Sequence, residues 1–115
     1  MLSSIYLIGK YLKGAEHLDI TYKNKKIEKV CTDAKAAEKA YGRKMAEKIH
    51  QRIDEIFAAD TVEMMIQFHI GRCHLLTQDR KGQYAMDLVH PYRLVFTKIG
   101  DELQIAYILE IVDYH

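Results

Sequence analysis

Gln83-Tyr84-Ala85-Met86-Asp87-Leu88-Val89-His90-Pro91-Tyr92-Arg93-Leu94-Val95-Phe96-Thr97 is the stretch on which the fold turns. Tyr84, Met86 and Leu88 alternate with Gln83, Ala85 and Asp87, and beyond the His90-Pro91 break Tyr92, Leu94 and Phe96 alternate with Arg93, Val95 and Thr97. A period of two belongs to strands that bury one face, so the run predicts two neighbouring antiparallel strands. Gly100-Asp101 predicts the next hairpin, after which Leu103, Ile105, Tyr107, Leu109 and Ile111 line one face of a last strand. Ala106, Ile108 and Val112 make its second face apolar as well, which predicts a central strand covered on both sides.

Upstream of residue 68 the period is helical. Ile20-Thr21-Tyr22 reads as a short strand, and Asn24 then caps a helical segment with Ile27, Val30 and Cys31 on one side. Thr32 and Asp33 supply a second cap for Ala34 to Tyr41, which Gly42 closes. From Arg43 to Ala59 the apolar positions Met45, Ile49, Ile53, Ile56 and Phe57 fall in steps of four and three, predicting one buried stripe with Lys44, Glu47, Lys48, Arg52 and Glu55 facing water. Asp60-Thr61 ends this helix and caps a short turn from Val62 to Ile66. The expected architecture is α+β: a small antiparallel β-sheet meander of about four strands with the N-terminal helices packed on one face.

At 115 residues the chain suits one domain, placed at residues 19–115 behind an N-terminal extension, residues 1–18. The opening residues lack the basic flank of a secretory leader, and Lys10 interrupts an apolar run well short of the ~20 residues of a spanning helix. With 49% hydrophobic and 29% charged residues the composition excludes disorder, and a net charge of +1 advertises no nucleic-acid or membrane partner in its total. Cys31 and Cys73 allow at most one disulfide and form no Cys-x-x-Cys metal pair, which fits a reduced, cytoplasmic compartment.

The exception to neutrality is local. Between residues 72 and 93, Arg72, His74, Arg80, Lys81 and Arg93, with Gln83 and Tyr84 among them, meet only two acids, Asp79 and Asp87. Guanidinium and ammonium groups match phosphodiester oxygens, and Tyr and His rings stack on unpaired bases; the competing reading is a solvated turn between strands. The last three residues, Asp113-Tyr114-His115, place a carboxylate, a phenol and an imidazole at the end of an apolar strand. Such a trio suits general acid–base chemistry, and the competing reading is a frayed terminus. Cys73, flanked by Arg72 and His74, is a weaker candidate for an activated thiol. No His-Glu-x-x-His pair, Gly-rich phosphate loop or Gly-x-Ser-x-Gly elbow is present in the sequence.

The run Gly71-Arg72-Cys73-His74-Leu75-Leu76-Thr77-Gln78-Asp79-Arg80-Lys81-Gly82-Gln83-Tyr84, with Tyr92-Arg93-Leu94-Val95-Phe96 and Glu110-Ile111-Val112-Asp113-Tyr114-His115, resembles the HigB branch of the RelE/ParE toxin superfamily, the bacterial toxin components of two-gene toxin-antitoxin systems. The resemblance spans about residues 19–115 and implies a small antiparallel sheet with helices on one side. It also implies cytoplasmic, metal-independent and cofactor-free cleavage of messenger RNA on the ribosome, which blocks translation. Carried onto this chain, it makes His74, Arg93, Asp113, Tyr114 and His115 the catalytic group, and Arg72, Arg80, Lys81, Gln83 and Tyr84 the RNA-binding group. Where the family commonly reads His-Pro-Leu-Lys-Gly-Asp-Arg, this chain has Leu75, Thr77 and Gln78 in place of the Pro, Lys and Gly, so one cationic contact is missing. The alternatives are a ParE-like DNA gyrase inhibitor without ribonuclease activity and an inactive relative that only binds its antitoxin. The implied partner is a HigA-like helix-turn-helix antitoxin in an oligomeric complex that reaches DNA through the antitoxin. It would dock on a helical face that includes Lys23, Lys25, Lys26 and Lys29.

Overall fold

The computed structural model describes residues 17–113. Strand β1 (Asp19–Tyr22) leads into four helices, α1 (Lys25–Thr32), α2 (Ala34–Tyr41), α3 (Arg43–Ala58) and α4 (Val62–Gln67). Strands β2 (His74–Leu75), β3 (Gln83–Asp87), β4 (Tyr92–Ile99) and β5 (Ile105–Asp113) follow. The caps read from sequence are formed. Asn24 accepts from the Ile27 N–H, Asp33 from those of Lys35 and Ala36, and Thr61 from that of Met64, each satisfying a donor that the first turn leaves open.

The sheet order is β1-β5-β4-β3-β2, antiparallel except for β1, which pairs in parallel with β5. Register assigns the faces. Met86 pairs with Leu94 and Leu94 with Ile111, while Tyr84 pairs with Phe96 and Phe96 with Ile108. These side chains, with Ile20 and Tyr22 from β1, pack on the helices around Ile49, Ile56, Val62 and Met65. The complementary positions form the face that the helices leave uncovered.

Five sequence expectations need correction. Phe57 does not join the buried stripe of α3; it is exposed, its ring 4.4 Å from that of His17. Arg52 does not face water; it is buried, because its guanidinium finds partners on the sheet. Leu103 is the most exposed large apolar residue described here and precedes β5 instead of lining it. Strand β5 is flanked on both edges but not covered on both faces. Ala106 and Ile108 are buried, whereas Ile105 and Tyr107 keep partial exposure. Strict alternation also fails at Leu109, where Val95 pairs with Glu110 and Phe96 with Ile108, so a β-bulge brings Ile111 onto the core side.

Leu18 is fully buried and donates its N–H to the Ala59 carbonyl at 2.9 Å, anchoring the entry to β1. Beside this anchor, where the Asp19 N–H donates to the Gln104 carbonyl at 3.3 Å, the Gln104 side chain is buried, accepts from the Val62 N–H at 2.8 Å and donates to Glu63 and to the Asp101 carbonyl. It ties the start of α4 to the start of β5. Gln104→Leu strands the Val62 donor in a dry site, and we expect urea denaturation to show a loss of about 1–3 kcal/mol.

Candidate active site

The uncovered face of the sheet collects the residues that carry chemistry, because alternation turns every second side chain of β3 and β4 toward it. Asp87 pairs with Arg93 and Arg93 with Val112 in one row. His74, Ala85, Val95 and Glu110 make the next, and Gln83, Thr97 and Tyr107 the third. Ala85 and Val95 are fully buried yet lie outside the helix-packed core, so they make a small apolar floor. Arg93 borders two cavities. One of about 330 Å³ is shared with Leu76, Thr77, Gln78, Asp79 and Arg80, and one of about 70 Å³ with Arg72, Asp87, His90 and Tyr92.

Charge on this face is organised around two carboxylates. Arg72 grips Asp87 with both ends of its fork, Nε to Oδ2 at 2.6 Å and Nη2 to Oδ1 at 3.2 Å, and Arg93 Nε stands 3.5 Å from Oδ1. Burial pushes the Asp87 carboxyl up, but hydrogen bonding to Arg72, with the charges of Arg72, Arg93 and His74, outweighs it and holds the group below the usual carboxylate range. Arg80 donates to Glu110 and to Gln83, both at 2.9 Å. The Asp87 carboxylate thus serves two guanidiniums.

The ring of His74 is oriented. Its Nδ1 lies 2.8 Å from the Arg72 carbonyl oxygen, and a carbonyl only accepts, so Nδ1 carries the proton. In the neutral ring the lone pair therefore sits on Nε2, the state required of a proton acceptor. Cys73 is the opposite case. Burial pushes its thiol up to about 12, so the activated thiolate considered from sequence is excluded.

The structure brings His74, Arg72, Arg80, Gln83 and Arg93 together on this face, with Lys81 exposed at the end of the Gln78–Arg80 turn. Tyr84 is set apart. It follows Gln83 onto the opposite side of β3 and stacks on Phe96, ring centroids 5.4 Å apart, which corrects its expected place among the RNA-binding residues. Asp113 is also set apart: it ends β5 opposite Tyr92, whose ring packs toward Tyr41 on the helix side, so the register places it on the other side of the sheet from Val112 and Arg93. Tyr114 and His115 lie outside the described residues. Asp87 and Glu110 are the site residues that sequence reasoning missed; alternation about the His90-Pro91 break already put Asp87 and Arg93 on one face. Among the described residues no three His, Cys, Asp or Glu side chains are grouped to hold a metal ion, and no helix is long and apolar enough to cross a membrane.

Among solved structures the chain is similar to the YoeB/ParE toxin from Agrobacterium tumefaciens, at 13% identity and a TM-score of 0.59 over 85% of this chain and 100% of that one. It is also similar to a chain of the heterotetrameric YoeB-YefM toxin-antitoxin complex from Staphylococcus aureus, at 25% identity and a TM-score of 0.53 over 86% of this chain and 98% of that one. The chain has the YoeB/RelE-like toxin fold. No protein-family model and no curated protein matches the sequence. In this chain the helices lie on one side of the sheet, which leaves the arginine-bearing face open.

Because the folded carboxyl of Asp87 lies below its ordinary value of 3.8, the stability it contributes is complete above that value and is lost as the pH falls below it. Thermal melts of the wild type and Asp87→Asn should differ at neutral pH, with the variant less stable. The gap should close as the solution is acidified below about pH 4.

Proposed function

We propose that this chain is the toxin of a two-gene toxin-antitoxin pair, of the HigB branch, and that it cleaves messenger RNA on the ribosome as a metal-independent endoribonuclease. The observation that carries the reading is an arginine array, Arg72, Arg93 and Arg80, on the same open face of a toxin fold as an oriented histidine, His74. An imidazole with a free Nε2 removes the proton from an RNA 2′-hydroxyl. The hydroxyl oxygen attacks the adjacent phosphorus, the bond to the 5′-oxygen breaks, and a second group protonates that leaving oxygen. His74 and His115 are the acid–base pair.

Arg93 and Arg80 bind the phosphoryl oxygens as negative charge accumulates on them, while Arg72 and Lys81 hold neighbouring phosphates. Asp113 orients an imidazole, Tyr114 stacks on the base at the cleaved bond, and Gln83 fixes the Arg80 fork. A net charge of +1 gives little long-range attraction for free RNA, which favours substrate presented by the ribosome.

The partner is a helix-turn-helix antitoxin, a reading supported by the toxin-antitoxin complex of the Staphylococcus aureus neighbour. A cavity of about 200 Å³ between α1 and β5, lined by Lys26, Ile27, Val30, Tyr41 and Ile111, opens on the Lys-rich helical face and suits a docked antitoxin segment. Lys25→Glu with Lys26→Glu should weaken that complex, read by co-purification, and leave growth arrest on induction intact.

Mapping RNA 5′ ends after induction tests the catalytic reading. His74→Ala and His115→Ala should each slow messenger cleavage by about 10²-fold or more, and the double variant should no longer arrest growth. Intact cleavage in the double variant removes the assignment. Growth arrest without cleavage, accompanied by loss of gyrase supercoiling, moves the chain to the gyrase-inhibitor reading.

A further inference from the structure

Arg52 is the one charged residue in the described core, 9% exposed, on the face of α3 turned to the sheet. Its Nε donates to the backbone carbonyl of Asp87 at 2.6 Å, and Nη1 pairs with Glu55 Oε1 at 2.9 Å. A guanidinium is costly to desolvate, and an apolar side chain of the same length would pack α3 on the sheet at lower cost. The polar head therefore points to a task beyond packing.

The other body resting on that head is the turn before β2. Gly71 lies so close that a Cβ built on it would stand 2.7 Å from Arg52 Nε, 2.9 Å from Cδ and 3.0 Å from Cζ. The turn is also conformationally unusual, with His69, Gly71 and Arg72 all left-handed at φ of 56°, 58° and 55°. Non-glycine residues hold such a conformation only where their surroundings over-determine it. The Gly71–Arg72 pair is held from both sides, Gly71 by Arg52 close beneath it and Arg72 by Asp87 at the end of its side chain. Asp87 is likewise held twice, its carbonyl by Arg52 and its carboxylate by Arg72.

We infer that Arg52 is a positioning residue of the candidate active site: its buried guanidinium seats the Gly71–Arg72 turn and the end of β3, and so sets the spacing of Arg72, Asp87 and Arg93 at which RNA phosphates are bound. Arg52 touches no reacting atom, and its effect reaches the chemistry through Arg72 and Asp87. The same turn supplies the carbonyl that orients His74, so a shifted turn also misaligns the imidazole. This inference rests on the ribonuclease reading for its catalytic arm only.

The test uses Arg52→Met, which keeps the stem and removes the fork, together with Arg52→Lys and Gly71→Ala. In Arg52→Met, single-turnover cleavage of ribosome-presented messenger should slow by about 10- to 100-fold with KM changed less than about threefold. NMR titration should show the Asp87 carboxyl moving up toward its ordinary value. Arg52→Lys, which restores one donor to the Asp87 carbonyl, should recover part of both effects. Gly71→Ala displaces the same guanidinium from the other side and should produce the same pair of changes. The double variant Arg52→Met with Gly71→Ala should then lose far less than the product of the two single losses.

Wild-type titration of Asp87 in Arg52→Met, or losses that simply multiply in the double variant, overturns the inference. So does a loss in Arg52→Met that tracks the fraction unfolded and vanishes at a temperature where the fold is intact. If the wild type itself cleaves no RNA, the proposed function fails, and the Asp87 titrations alone decide the role of Arg52.

Discussion

One face of a five-stranded sheet is packed under helices and the other is not, and the register of β4 between β3 and β5 decides which side chains belong to each. Slipping that strand by one residue would send Leu94 and Phe96 to water and drive Arg93 into the core. The cost of burying an unpaired guanidinium and exposing two large apolar groups excludes that alternative. Packing of Met86, Leu94, Phe96, Ile108 and Ile111 on the helices thus aims Arg93 at the open face. The core specifies the site without any core residue taking part in its chemistry.

Electrostatics on that face are organised by carboxylates shared among arginines. Asp87 serves Arg72 and Arg93 together, and Glu110 serves Arg80. These pairs are partly exposed, and exposed ion pairs add little to stability. Their consequence is geometric: forks clamped on carboxylates are already spaced and oriented, and the ordering entropy has been spent in folding.

Much of this was legible in the chain. Caps at Asn24, Asp33 and Thr61, the helix from Arg43 and the strands on either side of His90-Pro91 follow from local chemistry and periodicity, and the structure has all of them. What escaped was decided by partners distant in sequence. Arg52 falls on a polar flank by helical count, yet the carbonyl it bonds is 35 residues away. Phe57 has the spacing of a core residue but sits where the helix runs out over its edge. The carboxylates that organise the arginines were readable only in part. Asp87 shares a face with Arg93 by simple alternation, whereas Glu110 reaches Arg80 only because an unpredicted bulge intervenes. The site residues beyond Asp113 remain readings from sequence.

That bulge at Leu109 makes the length of β5 a matter of parity. Ahead of it, even-numbered residues of the strand face the helices; behind it, Ile111 does. The extra residue works as a phase shifter, letting a single strand hold two different binary patterns end to end. A one-residue insertion between Ile111 and Asp113 would leave the core pairing intact and still turn Asp113 to the other side of the sheet. Val112 and Asp113 are therefore under a constraint of counting, separate from any constraint of stability. Variants that fold as well as the wild type can still exchange which side of the sheet Asp113 takes, the one it shares with Tyr92 or the one that carries Arg93.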